Sequence, residues 1–250
     1  LKKNFKYGFK YYDLQVDDKK LVELNINDAK KRGGVIIEDK KVVQVKRYND
    51  HWVIKLDDQT NLYTKILINA SGPWVNDVLQ NVIKLNSKKS IRLVKGSHII
   101  TKKLYDKDIA FTLQNSDNRV IFVIPYNVNY SLIGTTEIEV TSPENTKIDK
   151  NEIDYLLNVV NKYFINQISI NDIVDTYSGI RPLIEDYKIA NQVSRDYYFD
   201  LNVESNFSPL LNIYGGKLTT FRKLSENVLK ILRPYLSLKK IESWTHNKKL

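Results

Sequence analysis

Apolar positions recur along this chain at two periods. Between residues 42 and 69 they alternate, in segments 42–48, 52–56 and 62–69, and Asn49-Asp50 and Asp57-Asp58 punctuate them. Alternation predicts half-buried strands and the polar pairs predict hairpin turns, so this stretch reads as a three-stranded meander. Elsewhere the spacing is three and four. Leu21, Leu24 and Ala29 follow Asp17-Asp18 and precede Lys30, Lys31, Arg32 and Gly33, which predicts a capped, glycine-stopped helix. Ile153, Leu156, Val160 and Phe164 follow Asp149-Lys-Asn-Glu152, the pattern of a capping box. Phe221, Leu224, Val228 and Ile231 form a third helical face, closed by Pro234.

Shorter apolar runs fill the rest. Residues 7–12 read as an aromatic strand or turn, and 35–37 as a buried strand. Further strands are expected at 91–100, 120–125, 130–136, 173–181 and 210–214. Residues 65–74 read as a strand buried on both faces that ends at Ser71-Gly72, with Pro73-Trp74-Val75 opening a helix. The mixture is α+β or α/β, with segments 1–90, 91–171, 172–238 and a polar linker at 239–250.

Composition removes whole classes of chemistry. The 250 residues contain no cysteine, and three histidines, His51, His98 and His246, match no zinc spacing. No apolar run reaches the roughly 20 residues that span a bilayer. The net charge of +10 suits an anionic small molecule, an acidic membrane surface or nucleic acid. Its basic residues are spread as pairs and form no aromatic-interleaved stripe, so nucleic acid is the weakest partner. The chain begins with Leu1 and has no methionine, as expected of a piece of a longer protein.

Gly216-Lys217 is not a P-loop, since Leu211 stands where the first glycine belongs and Leu218 where Ser or Thr belongs. No G-x-S-x-G elbow and no tidy carboxylate pair occurs. What remains is a set of basic and small residues at expected strand ends or turns: Ser71-Gly72, Lys95-Gly96-Ser97-His98, Gly179-Ile-Arg181, Ser194-Arg195-Asp196 and Gly215-Gly216-Lys217. Taken singly, Arg181 also reads as a surface ion pair, His98 as a core hydrogen-bonding residue and Arg195 as a solvated charge. Strand ends along one sheet edge are where open α/β proteins build ligand sites.

Taken together, INASGPWVNDVL, IRLVKGSHII, VIFVIPY, SLIGTTEIE, DIVDTYSGIRPL, VSRDY and NIYGGKLTTFRKL resemble, in order and spacing, the FAD-dependent, quinone-reducing glycerol-3-phosphate dehydrogenases. The resemblance runs over about residues 8–244. It implies part of a D-amino-acid-oxidase-like FAD domain, a strand meander plus helices, with an inserted, mainly antiparallel substrate domain at 91–171. It implies that sn-glycerol 3-phosphate is oxidised to dihydroxyacetone phosphate, with hydride passing to FAD and electrons to quinone. Ala70, Ser71, Gly72 and Trp74 resemble one flavin contact, and Gly215, Gly216, Leu218 and Thr219 another. His98, Arg181, Arg195 and Lys217 resemble the substrate-side cluster: Arg195 and Lys217 for phosphate, Arg181 and His98 by the carbinol, His98 as the base. No metal is implied. Attachment to the inner face of the cytoplasmic membrane without crossing it follows from the family, and a homodimer is compatible with it.

The family's G-x-G-x-x-G occurs nowhere in this chain, and its C-terminal helical domain has no counterpart here. Two alternatives stand beside the dehydrogenase. One is a glycerol-3-phosphate oxidase handing electrons to oxygen. The other is a non-catalytic remnant of a degraded gene that binds anions or membranes through its charge.

Overall fold

A computed structural model describes residues 1–87, 89–144, 146–185, 196–204, 207–237 and 243–248. The chain forms two compact units: Leu1–Lys10 with Ile91–Ser194, and Tyr11–Ser90 with Arg195–Leu250.

The unit built on Tyr11–Ser90 starts with helix α1 (Asp18–Lys31), whose first turn is capped by Asp17 accepting from the Lys20 amide. Strands β1 (Val42–Arg47), β2 (Trp52–Leu56) and β3 (Asn61–Thr64) pair antiparallel in that order. The expected third meander segment divides here. Its second half, β4 (Leu67–Asn69), leaves the meander for another sheet, and Ile68 is exposed, so it is not buried on both faces. A 3-10 turn at Gly72–Trp74 with Pro near its start leads into helix α2 (Val75–Asp77), which continues as a wider helical turn through Val78–Ile83. Leu79 and Ile83 from that turn pack with Val45, Trp52 and Leu210.

The expected strand at 35–37 does not form, and Val35, Ile36 and Ile37 are exposed. An apolar triplet becomes a strand only where a neighbour accepts its ladder bonds, and among the described residues none pairs with it. Residues 7–12 likewise carry no regular structure, and Tyr7, Tyr11 and Tyr12 are exposed. Of the expected linker, residues 243–248 are described. The hydroxyls of Ser243 and Thr245 donate to Glu226.

In the other unit, β5 (Ile91–Lys102) is the spine. Strands β6 (Phe111–Gln114), β7 (Val120–Tyr126) and β8 (Tyr130–Gly134) form a meander whose last member pairs with β5. A short β9 (Ile138–Val140) also pairs β5. Helix α3 (Lys150–Tyr163) carries the expected capping box between Asp149 and Glu152. Its Leu156, Val160 and Phe164 join Ile99, Ile121, Val123 and Ile133 in the core. The chain then enters β10 (Ile173–Ile184), antiparallel to β5 along its whole length. That pairing moves the expected boundary at 172: this strand stays with the larger sheet, and the return to the unit of Tyr11–Ser90 falls after Ser194.

Beyond the return, β11 (Tyr197–Asn202) pairs antiparallel with β12 (Leu210–Gly215), which runs parallel to β4. A 3-10 turn at Leu218–Thr220 opens helix α4 (Phe221–Leu232). Its Val228 and Leu232 bury against Leu211 and Ile213.

Candidate functional site

On β5, successive side chains face opposite sides of the sheet, and partners on neighbouring strands share a side. Ile99 points into the core under α3, so Gly96 and His98 face the other way. Register pairs Gly96 with Gly179, and His98 with Tyr177 on one flank and Gly134 on the other. One face therefore holds three glycines, an imidazole, a phenol ring and Arg181. The glycines make room. A Cβ on Gly134 would stand 2.2 Å from His98 Cδ2, and one on Gly96 would stand 2.7 Å from Arg181 Nη2. The imidazole thus lies flat against the backbone at Gly134, its ring stacked on Tyr177 at 4.6 Å and 9°. The guanidinium lies across Gly96, donates to Thr135 Oγ1 at 3.2 Å and stands 3.8 Å from Glu137. Above Gly179 nothing comes within 4 Å of a Cβ position. A proton-accepting ring and a fixed cation beside open space suit an anionic substrate that must lose a proton.

Behind this face lies a buried ion pair. Lys95 Nζ and Glu152 Oε2 are 2.8 Å apart, with side chains 4% and 1% exposed. Glu152 also accepts from Ser97 Oγ (2.7 Å), Thr136 Oγ1 (2.6 Å) and the Asp149 amide (3.0 Å). Thr136 Oγ1 accepts from the Ser97 amide, and Ser178 Oγ donates to Ser97 Oγ at 2.7 Å. Lys95 donates to the Lys147 carbonyl oxygen at 2.7 Å. Burial pushes the Glu152 carboxyl up, but the donors from Lys95, Thr136, the Asp149 amide and Ser97 outweigh it and hold the group below its ordinary value.

In the other unit, the parallel neighbours β4 and β12 are aligned at Asn69 and Asn212. Three residues beyond that pair, each reaches a glycine in the left-handed region: Gly72 at φ 57° and Gly215 at φ 70°, followed by Gly216 at φ 101°. Only glycine takes such backbone without strain. A Cβ on Gly72 would meet nothing within 4 Å, and Lys217, Leu218 and Thr219 are exposed at the start of the turn that opens α4. Glycine turns at the carboxyl ends of adjacent parallel strands, one open at Gly72 and the other leading into a helix N-terminus, fit a flat, anionic ring system approaching the backbone. A line of amides holds the two strands at this height. Ser71 Oγ donates to Asn69 Oδ1 (2.6 Å), and Asn69 Nδ2 donates to the Val75 carbonyl oxygen and to Asn212 Oδ1 (both 3.0 Å). Asn212 Nδ2 reaches Asp200 at 3.4 Å.

The structure brings His98 and Arg181 onto one face, and Ser71 and Gly72 onto a strand end beside the one that leads to Gly215 and Gly216. Ala70 and Trp74 are exposed beside Gly72. Arg195 lies outside the described residues. His98 and Arg181 sit within long strands, not at strand ends, and Lys95 faces away from them into the buried pair. Sequence reasoning missed Tyr177, Thr135, Glu137, Asn69 and Asn212, and read Glu152 only as a cap. The one signal for Glu152 was the capping box, which uses a single oxygen of its carboxylate.

A family model described as FAD dependent oxidoreductase (DAO) matches residues 1–221. The chain is 41% identical over 242 residues to the aerobic glycerol-3-phosphate dehydrogenase of Escherichia coli (strain K12), covering 94% of this chain and 48% of that protein. It is also 41% identical to the D-erythritol 1-phosphate dehydrogenase of Brucella abortus, covering 96% of this chain and 49% of that protein. The chain spans about half the length of the curated relatives it matches. Among solved structures, the glycerol-3-phosphate dehydrogenase of Bacillus halodurans in complex with FAD superimposes with a TM-score of 0.76 at 27% identity, over 92% of this chain and 45% of that one.

Proposed function

The chain belongs to the FAD dependent oxidoreductase (DAO) family, and from that premise we propose that it is part of an enzyme oxidising sn-glycerol 3-phosphate to dihydroxyacetone phosphate, with electrons passed to quinone. The observation that carries this reading is the glycine-floored face on which His98 and Arg181 lie together. Bound FAD supplies the acceptor for the hydride that leaves C2. His98 takes the hydroxyl proton at its imidazole, a role a neutral ring fills near physiological pH and a guanidinium does not. Arg181 donates to substrate oxygens from a position fixed by Thr135 and Glu137. Lys217 and Arg195 are assigned to phosphate on resemblance alone. The Gly72 and Gly215-Gly216 turns with Ser71, Leu218 and Thr219 would hold the isoalloxazine ring, and the helix start would favour negative charge on it.

Among the described residues no helix is long and apolar enough to cross a membrane. The proposal extends to attachment at the inner face of the cytoplasmic membrane, which the net charge of +10 supports through attraction to anionic lipid. The 41% identity to an erythritol-phosphate enzyme favours a second reading, a four-carbon polyol phosphate as substrate.

Anaerobic addition of glycerol 3-phosphate to the flavin-loaded protein is expected to bleach the oxidised-flavin absorbance, and glycerol is expected not to. Erythritol 1-phosphate in parallel ranks the two substrates, and quinone against oxygen as acceptor separates dehydrogenase from oxidase. Equal bleaching by glycerol, or bleaching by no phosphorylated polyol, overturns the reading.

A further inference from the structure

Three polar residues behind the sheet are each flanked in the chain by residues of the face in front of it. Ser97 lies between Gly96 and His98, Ser178 between Tyr177 and Gly179, and Thr136 between Thr135 and Glu137. Ser97 and Thr136 donate directly to Glu152 Oε1, and Ser178 reaches it through Ser97. Lys95 closes the cluster on the other carboxylate oxygen.

We propose that Glu152, neutralised by Lys95, is the positioning residue of the substrate face. From behind, it pins the three segments whose neighbouring side chains stack on His98 and hold Arg181. The inference rests on reading His98 and Arg181 as substrate groups. Its physical basis is direction. The apolar contacts of α3 with the sheet tolerate sliding, because hydrophobic burial is non-directional. Four donors converging on one carboxylate do not, because each bond weakens steeply with misalignment. A buried ion pair is also a poor way to gain stability alone, since its desolvation offsets most of its attraction.

The test uses the stacking of His98 on Tyr177, whose ring current displaces the imidazole proton signals. The chain has only three histidines, so NMR resolves them. Tyr177→Leu gives the unstacked position of the His98 signal. In folded Glu152→Gln and Ser97→Ala, that signal is expected to move toward the unstacked position. Ser97→Ala leaves the Lys95–Glu152 pair in place, and it decides alone if Glu152→Gln does not fold. Lower unfolding midpoints with an unmoved His98 signal in the folded variants overturn the proposal, since that pattern is stabilisation without positioning. Adding glycerol 3-phosphate to the unsubstituted chain tests the underlying reading separately. A His98 signal indifferent to it counts against the assigned function and leaves the positioning result legible.

Discussion

Each unit holds a glycine-bearing strand in place with a buried polar cluster, and the two clusters differ in kind. Behind β5 the cluster is ionic: a lysine, a carboxylate and three hydroxyls. Along β4 and β12 it is a neutral line from the Ser71 hydroxyl through the Asn69 and Asn212 amides, with a carboxylate, Asp200, at its far end. The first stands behind charged side chains that protrude from the sheet. The second supports backbone that has to be approached closely. Losing Lys95 or Glu152 strands a charge in a dry interior, whereas losing Asn69 strands dipoles, and losing Asn212 removes in addition one 3.4 Å donor from Asp200.

The largest expected effect follows from that difference. Glu152→Ala leaves the Lys95 ammonium buried without its carboxylate, for a loss of about 3–5 kcal/mol, measured by denaturant unfolding followed through the His98 signal. Acid probes the same group. Glu152 is held below its ordinary value of 4.5. Its contribution is therefore full above that pH and is lost as pH falls through the depressed folded value. Glu152→Gln is expected to flatten this acid limb, and an unchanged limb would show that other carboxylates set it.

Asn212→Ala is expected to cost less, about 1–3 kcal/mol for unpaired buried groups. Trp52, Trp74 and Trp244 all belong to the second unit, so tryptophan fluorescence reads this loss. A loss equal to that of Glu152→Ala would erase the distinction between the clusters. Gly72→Ala forces a side chain to φ 57° and should cost about 1–2 kcal/mol, read by the same fluorescence, with weaker flavin retention. The smallest stability effect is expected for Gly96→Ala, about 1 kcal/mol, because the new Cβ, 2.7 Å from Arg181 Nη2 and from Thr135 Oγ1, meets side-chain ends and no backbone among its nearest atoms. If the proposed function holds, the displaced guanidinium is expected to raise KM for glycerol 3-phosphate more than it lowers kcat.

Much of the local structure was legible. Asp17 and Asp149 announce α1 and α3 because a cap acts over three residues, and both caps form as read. Gly72, Gly215 and Gly216 stand out because positive φ is a demand that a single residue meets. Besides the aromatic run at 7–12, which forms neither strand nor turn, three expectations failed for want of a partner that local pattern cannot supply. The run at 35–37 has no neighbour among the described residues, residues 67–69 leave the meander to lie parallel to β12, and β10 stays with β5 beyond residue 172.

The site divides along the same line. His98, Arg181 and the glycine turns were singled out as candidates from their residue types and the family resemblance, since an imidazole, a guanidinium and a bare backbone carry their chemistry wherever they stand. That Arg181 crosses Gly96, that His98 is clamped between Tyr177 and Gly134, and that Glu152 turns inward to Lys95 could not be read that way. Capping and turn geometry act within a few residues, and the sequence by itself determined them. The Ser97–Glu152 bond joins positions 55 residues apart, and only the packing of helix α3 on the sheet brings them within hydrogen-bonding reach.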